Sequence, residues 1–144
     1  MSDPSSEPWL FDATDDDFEA LVVEASFAVP IIVDFWASWC QPCRMLTPSL
    51  TSAVEQRDGQ MKLVKVNTEI APKAATQFGI SSIPSVFAVI DGQVVDSFQG
   101  LLEPEDLNQW LDGVAFNAKY LAARNEEATN IDLAISIYRE LLDL

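Results

Sequence analysis

Histidine is absent from this 144-residue chain, cysteine occurs only twice, and 8 lysines and arginines stand against 23 aspartates and glutamates. Each shortage removes a class of chemistry. Without histidine the chain cannot build a Ser-His-Asp or Cys-His arrangement. A structural zinc site usually takes four Cys or His ligands, and the chain has two, so no metal is expected. A formal charge of -15 repels phosphate backbones and anionic lipid, so neither nucleic acid nor a membrane is expected as a partner. Long apolar runs are also missing: the stretch from Val29 to Val33 is broken by Asp34, well short of a bilayer. The opening from Met1 to Pro8 is polar, with no basic start and no apolar stretch, unlike a secretory signal. A cytoplasmic location is the expectation. In that reducing compartment a close cysteine pair is more often catalytic than structural.

What is present is a globular composition, 49% hydrophobic, at a length suited to one compact domain. The charge is uneven. Residues 1–26 hold eight acids and no base, residues 27–102 six acids against five bases, and residues 103–144 nine acids against three bases. Acidic flanks of this kind read as solvated surface around a nearly neutral middle.

The pattern along the chain predicts alternating elements. Trp9-Leu10-Phe11 suits a short edge strand. Thr14 then offers an N-cap, and Phe18, Leu21, Val22 and Ala25 predict a first helix to about Ser26. Ile31 to Ala37 is nearly all apolar, the mark of a strand buried on both faces. A helix opens at Cys40-Gln41-Pro42-Cys43, with Met45, Leu46, Leu50, Ala53 and Val54 as its buried stripe and Pro48 inside it. Lys62–Thr68 predicts a strand and Pro72–Phe78 a short helix. Ser85–Ile90 and Gln93–Phe98, joined by Asp91-Gly92, read as a hairpin. A helix from about Pro104 carries Leu107, Trp110, Leu111 and Val114 on one face. The fold class expected is α/β, a mixed sheet flanked by helices. After Gly113 two further helices are predicted, one through Phe116, Tyr120, Leu121 and Ala123, one through Leu133, Ala134, Ile137, Tyr138, Leu141 and Leu142, joined by residues 125–130.

A Cys-x-x-Cys pair opening a helix straight after a buried strand is a specific chemical signal. Backbone N–H groups and the partial positive charge of the helix start stabilise a thiolate on Cys40. Cys43, one turn further in, is then placed to resolve a mixed disulfide formed by Cys40. The plainer alternatives are half of a zinc site or two inert core thiols. Asp34 is a carboxylate inside an apolar strand, where desolvation raises its pKa. It could take a proton from Cys43, with Lys65 on the neighbouring strand as its charge partner, or simply be a hydrogen-bonded buried acid. From spacing alone Pro84 reads as a turn residue.

The block Val33-Asp34-Phe35-Trp36-Ala37-Ser38-Trp39-Cys40-Gln41-Pro42-Cys43-Arg44 resembles the active-site segment of the thioredoxin family. The likeness continues through Pro48, Lys65-Val66-Asn67, Phe78-Gly79-Ile80, Ile83-Pro84, Asp91-Gly92 and Gly100, and spans about residues 9–113. It implies a thioredoxin-like fold in which Cys40 is the nucleophile, Cys43 the resolving thiol and Asp34 the buried proton acceptor, with Lys65 beside it. It further implies that Pro84 is a cis-proline facing the cysteines and that the Ile83 backbone pairs with an extended substrate. Trp39 and Gly100 would line the apolar substrate patch, and Gln41 and Pro42 would also contact substrate. Gln41 departs from the family, which usually has glycine there. The activity implied is reduction of protein disulfides by a thiol-disulfide oxidoreductase with no bound cofactor. Its redox-active disulfide would be recycled by an NADPH-dependent thioredoxin reductase.

The remaining residues divide the chain into an acidic tail over 1–8, the thioredoxin-like domain over 9–113 and a helical hairpin over 114–144. Asp132 to Leu142 is similar to the second helix of a tetratricopeptide repeat, with Leu133, Ala134 and Tyr138 at packing spacing. A thioredoxin-like domain followed by such helices is the layout of the YbbN-type co-chaperones, and Phe98-Gln99-Gly100 and Val29-Pro30 also resemble that branch. The alternative function is therefore a co-chaperone that binds client proteins through the tail. The plainer reading of the tail is an ordinary amphipathic hairpin.

Overall fold

The protein is described by a computed structural model covering residues 8–127 and 131–143. Of the expected tail over residues 1–8 and linker over 125–130, residues 1–7 and 128–130 lie outside the described residues, and 125–127 are helical rather than a linker. Five strands form one mixed sheet: β1 (Leu10–Ala13), β2 (Ile31–Trp36), β3 (Lys62–Asn67), β4 (Ser85–Ile90) and β5 (Gln93–Gln99). Their spatial order is β1-β3-β2-β4-β5, with β1, β3 and β2 parallel and β4 and β5 antiparallel to their neighbours. β2 lies at the centre, and Ile31 to Phe35 are all buried, as expected of a strand covered on both faces. The expected α/β class holds.

The alternation of side chains along β2 assigns each face of the sheet. Ile32 points into a core shared with Leu46, Leu50, Leu63, Leu107 and Leu111. Two helices supply that layer, α1 (Gln41–Glu55) and α3 (Pro104–Glu127). Ile31, Val33 and Phe35 point the other way, into a core with Phe18, Val22, Val64 and Val66, covered in part by α2 (Pro72–Gln77). Phe18, Phe35, Phe78 and Phe87 stack there, with ring centroids between 5.0 and 6.2 Å apart. Edge-to-face packing of this kind adds to the stabilisation from area alone.

Three local expectations change. The first predicted helix is not α-helical: residues Glu19–Glu24 form a π-helix, followed by a 3-10 turn over Ala25–Phe27. Its buried positions, Phe18, Val22 and Ser26, recur every four residues, a wider repeat than the 3.6 of an α-helix. Met45, assigned to the buried stripe of α1, is 57% exposed, while Cys43, Leu46, Leu50, Ala53 and Val54 are buried. Met45 precedes Leu46 by one residue and so points about 100° away from it around the helix. The helix expected after Gly113 is the continuation of α3, which runs through Gly113 to Glu127 without a break. A further helix, α4 (Ile131–Leu142), packs back on α3, with the Tyr120 and Tyr138 rings 6.4 Å apart and Lys119 3.6 Å from Glu140. The Leu133 and Ala134 side chains, named for repeat-like packing, lie outside the described residues. Among the described residues no helix is long and apolar enough to cross a membrane.

Ser26 joins two parts of the fold. Its buried hydroxyl donates to the Val23 carbonyl and accepts from the Gly92 N–H at 2.8 Å, and its carbonyl accepts from the Asp91 N–H at 3.0 Å. The β4–β5 turn is thus held against the 3-10 segment. Asp91 and Gly92 both have positive φ, 51° and 76°, as a two-residue hairpin turn requires. Replacing Ser26 by Ala strands the Gly92 N–H and should cost about 1–3 kcal/mol in urea unfolding. A loss below about 0.5 kcal/mol would show that the turn is held without it.

Candidate active site

The site is built at the carboxyl ends of β2 and β3, where the chain leaves the sheet to start α1. Cys40 is the N-cap of α1: its backbone is extended (φ -88°, ψ 108°) and its Sγ accepts the Cys43 N–H at 3.2 Å. Pro42 fits the first turn because its missing N–H would have no helical partner there. Cys40 and Cys43 form a disulfide with their Cα atoms 5.3 Å apart. Both are sunk into the surface: Cys40 is 3% exposed and Cys43 1%, packed with Ala37, Trp36 and Ile83. The unpaired amides and the dipole at the helix start favour negative charge at this position.

The loop before Cys40 is braced by polar contacts. The Ser38 hydroxyl and N–H both donate to Glu69 Oε1, at 2.8 and 3.2 Å. Arg44, one turn into α1, donates to the Ser38 carbonyl. Glu69 is itself positioned by its N–H, which donates to the Asn67 side chain at 2.9 Å. The Thr68 N–H donates to the Trp36 carbonyl at 2.8 Å, tying the ends of the two central strands together. None of Ser38, Glu69 and Arg44 was singled out from the sequence for this brace. The signal was weak, because Ser38 and Glu69 are 31 residues apart and meet only through the parallel pairing of β2 with β3.

Asp34 lies on the α1 face of β2, fully buried. Burial pushes its carboxyl up from the ordinary aspartate value of 3.8 to about 6, partly offset by a hydrogen bond from Thr47 and by the positive charge of Lys65. Thr47 Oγ1 donates to Oδ2 at 3.0 Å, and Oδ1 has no hydrogen-bond partner among the described residues. Lys65 sits opposite Asp34 in the β2–β3 register, and its ammonium is 3.6 Å from Asp12 Oδ1 on β1. Thr47 was missed in the sequence. The available signal was its position four residues after Cys43, on the same face of α1.

Of the other expected residues, Trp39 and Ile83 line one cavity and Lys65 another, while Gln41, Pro42, Pro84 and Gly100 line neither. Trp39, 70% exposed, and Ile83 line a cavity of about 380 Å³ with Thr68, Ala75 and Ile80. The Ile83–Pro84 peptide is cis, Pro84 is buried, and its carbonyl accepts the Gly100 N–H at 2.9 Å. Gln41 and Pro42 are exposed on the first turn of α1. Lys65 instead borders a second cavity, of about 270 Å³, together with Trp36, Cys43, Arg44, Thr47 and Pro48. Two mouths thus flank the disulfide, one beside Trp39 and one behind Cys43.

A helix-capping Cys-x-x-Cys disulfide backed by a buried carboxylate, on this five-stranded mixed sheet, defines a thiol-disulfide oxidoreductase. Residues 10–113 match the thioredoxin family model, and the chain belongs to the thioredoxin family. It is 44% identical over 99 residues to thioredoxin 1 of Synechococcus elongatus, covering 69% of this chain and 91% of that protein. The thioredoxin of Rickettsia bellii is 36% identical over 99 residues, covering 69% and 92%. An uncharacterised protein of Mycobacterium tuberculosis differs from these in coverage. It is 33% identical over 146 residues, taking in 99% of this chain, which spans 47% of its length.

The raised pKa of Asp34 makes a stability prediction. The native state binds more protons than the unfolded chain between about pH 3.8 and about 6, so stability falls as pH rises through that window. The penalty then persists at higher pH. Asp34→Asn removes it and should stabilise the disulfide form by about 2–3 kcal/mol at pH 8, with little gain at pH 3.5. Equal effects at the two pH values would contradict the burial account.

Proposed function

We propose that the protein is a protein-disulfide reductase. The observation that carries this reading is Cys40 at the N-cap of α1, its sulfur held by the Cys43 N–H and backed by the buried Asp34. In the reduced protein Cys40 attacks a substrate disulfide as a thiolate, forming a mixed disulfide while the distal substrate sulfur leaves as a thiolate and takes a proton from solvent. Cys43 gives its proton to Asp34 and attacks Cys40 Sγ, releasing the second substrate sulfur. Two electrons pass to the substrate, and the Cys40–Cys43 disulfide is left. An NADPH-dependent thioredoxin reductase returns the two electrons.

The cavity beside Trp39 supports an extended substrate lying across Ile83 and Pro84, with Gly100 too small to obstruct it. Gln41 and Pro42 face solvent at the rim, where they meet the partner rather than the disulfide. The residues lining the cavity beside Trp39 all come from the stretch 27–102, which carries six acids against five bases. Partners are therefore selected by apolar fit and backbone pairing more than by long-range attraction.

A second reading is favoured by one observation: the Mycobacterium tuberculosis relative matches the helical tail as well as the domain. In that reading the protein is a co-chaperone of the YbbN type, with clients bound through α3 and α4, where Phe116, Tyr120, Ile135 and Leu142 are exposed.

Cys40→Ser should abolish insulin reduction coupled to NADPH and thioredoxin reductase, and Cys43→Ser should accumulate the mixed disulfide. Absence of turnover by the wild type with several reductases would overturn the first reading. Suppression of aggregation that persists in the Cys40→Ser, Cys43→Ser double variant supports the second, and its complete loss counts against it.

A further inference from the structure

Asp34 has two oxygens in different situations. Oδ2 accepts a hydrogen bond from Thr47, whereas Oδ1 is buried without a partner among the described residues. A buried carboxylate with one oxygen satisfied and one bare is poised to bind a proton at the bare one, because protonation there relieves desolvation without breaking the existing bond. Thr47 comes from the same helix as Cys43, one turn further on, and both residues border the 270 Å³ cavity. Thr47 is therefore held in fixed register with the resolving thiol by α1.

Lys65 is the obvious candidate for controlling this carboxylate, and its placement argues against it. Its ammonium is bridged to Asp12, whose carboxylate offsets the positive charge seen from Asp34. Lys65 is also partly exposed, so solvent screens it further. The Thr47 hydroxyl, at 3.0 Å within the buried interface, is the stronger influence.

We propose that Thr47 is a positioning residue for the proton transfer: its hydroxyl fixes Oδ2 of Asp34, keeps the carboxylate ionised near neutral pH and leaves Oδ1 to accept the Cys43 proton. The inference rests on the reading of Asp34 as acceptor and adds to it the group that sets when it can act. In the step itself the Cys43 S–H bond breaks and an Oδ1–H bond forms. The Cys43 thiolate then attacks Cys40 Sγ, the bond from Cys40 to the substrate sulfur breaks, and that sulfur leaves as a thiolate. Asp34 afterwards returns its proton to solvent.

Among the described residues the groups near Asp34 are few. α1 brings Thr47, which borders the cavity together with Cys43 and Arg44. β3 brings Lys65, with Asp12 of β1 beyond it, and β4 brings Val86, which does not titrate. In the disulfide form Cys43 is silent, so the Asp34 titration can be read without a coupled thiol.

The test uses Thr47→Val, which keeps the shape and removes the donor, and Thr47→Ser, which keeps the donor. Asp34 is followed by carbon-13 NMR of labelled aspartate in the disulfide form across pH 4–9. Thr47→Val should move the Asp34 midpoint up by about one pH unit, and Thr47→Ser should leave it near the wild-type value. In the reduced protein the pH profile of mixed-disulfide resolution should move up with it in Thr47→Val alone. A purely structural role would lower stability in Thr47→Val without moving either midpoint, and that result overturns the proposal. Resolution by Asp34→Asn at the wild-type rate would instead overturn Asp34 as acceptor, while a shifted Asp34 titration in Thr47→Val would still stand as evidence for the hydroxyl's hold on it.

Discussion

The structure turns on a single hydrogen bond geometry, the Cys43 N–H pointing at the sulfur of Cys40. Helix starts usually place a Ser, Thr, Asp or Asn oxygen there, because the first amides of a helix have no partner within it. Here a sulfur occupies the position. The group that ends the loop and starts α1 is therefore the group that reacts. A cap that prefers negative charge and a thiol that must lose its proton to act have the same requirement. The loop, the strand ends and the Ser38–Glu69–Arg44 brace all serve to bring Cys40 to that position.

Asp34 carries the opposite cost. A central strand otherwise filled with Ile, Val and Phe loses stability by holding a carboxylate, since the charged form is desolvated. Because burial dominates the shift, its acidity is set chiefly by how tightly α1 and the sheet close over it. A change in packing of Leu46 or Leu50 therefore alters proton affinity as well as stability. Core and chemistry are the same layer on this face of the sheet.

How much could be read beforehand depends on whether the determining contacts were local. The Cys40–Cys43 spacing, the apolar run of β2 and the Asp91-Gly92 turn are signals contained in a few residues, and they placed the fold and the reactive pair. Met45 falls off the buried stripe because one residue along a helix is about 100° of rotation, and an apolar side chain beside the stripe looks the same in sequence as one on it. The π-helix at Glu19–Glu24 was not legible, since its widened hydrogen bonding is set by packing of Phe18 and Val22 on the sheet. The domain boundary expected after Gly113 is no break in the helix, because Leu111 and Val114 on either side are buried and carry α3 through. Thr47 and Glu69 were invisible for another reason: each matters only for the side chain it meets, and both meetings are created by the β2–α1–β3 crossover.

Helix α3 begins on the core and ends in the hairpin with α4. Over its 24 residues it rises about 36 Å, so one continuous helix axis joins the core-facing turns to the tail. Phase along that axis sets which way the hairpin faces. One residue added between Val114 and Tyr120 would swing α4 by about 100° and advance it by about 1.5 Å, leaving Leu107 and Leu111 seated but turning Leu121 off the core. The bearing of the tail relative to the disulfide is thus set by a residue count together with the packing of Ala115, Ala118 and Leu121 on the core. Helix-preserving substitutions on the solvent side can change the sequence freely; insertions cannot.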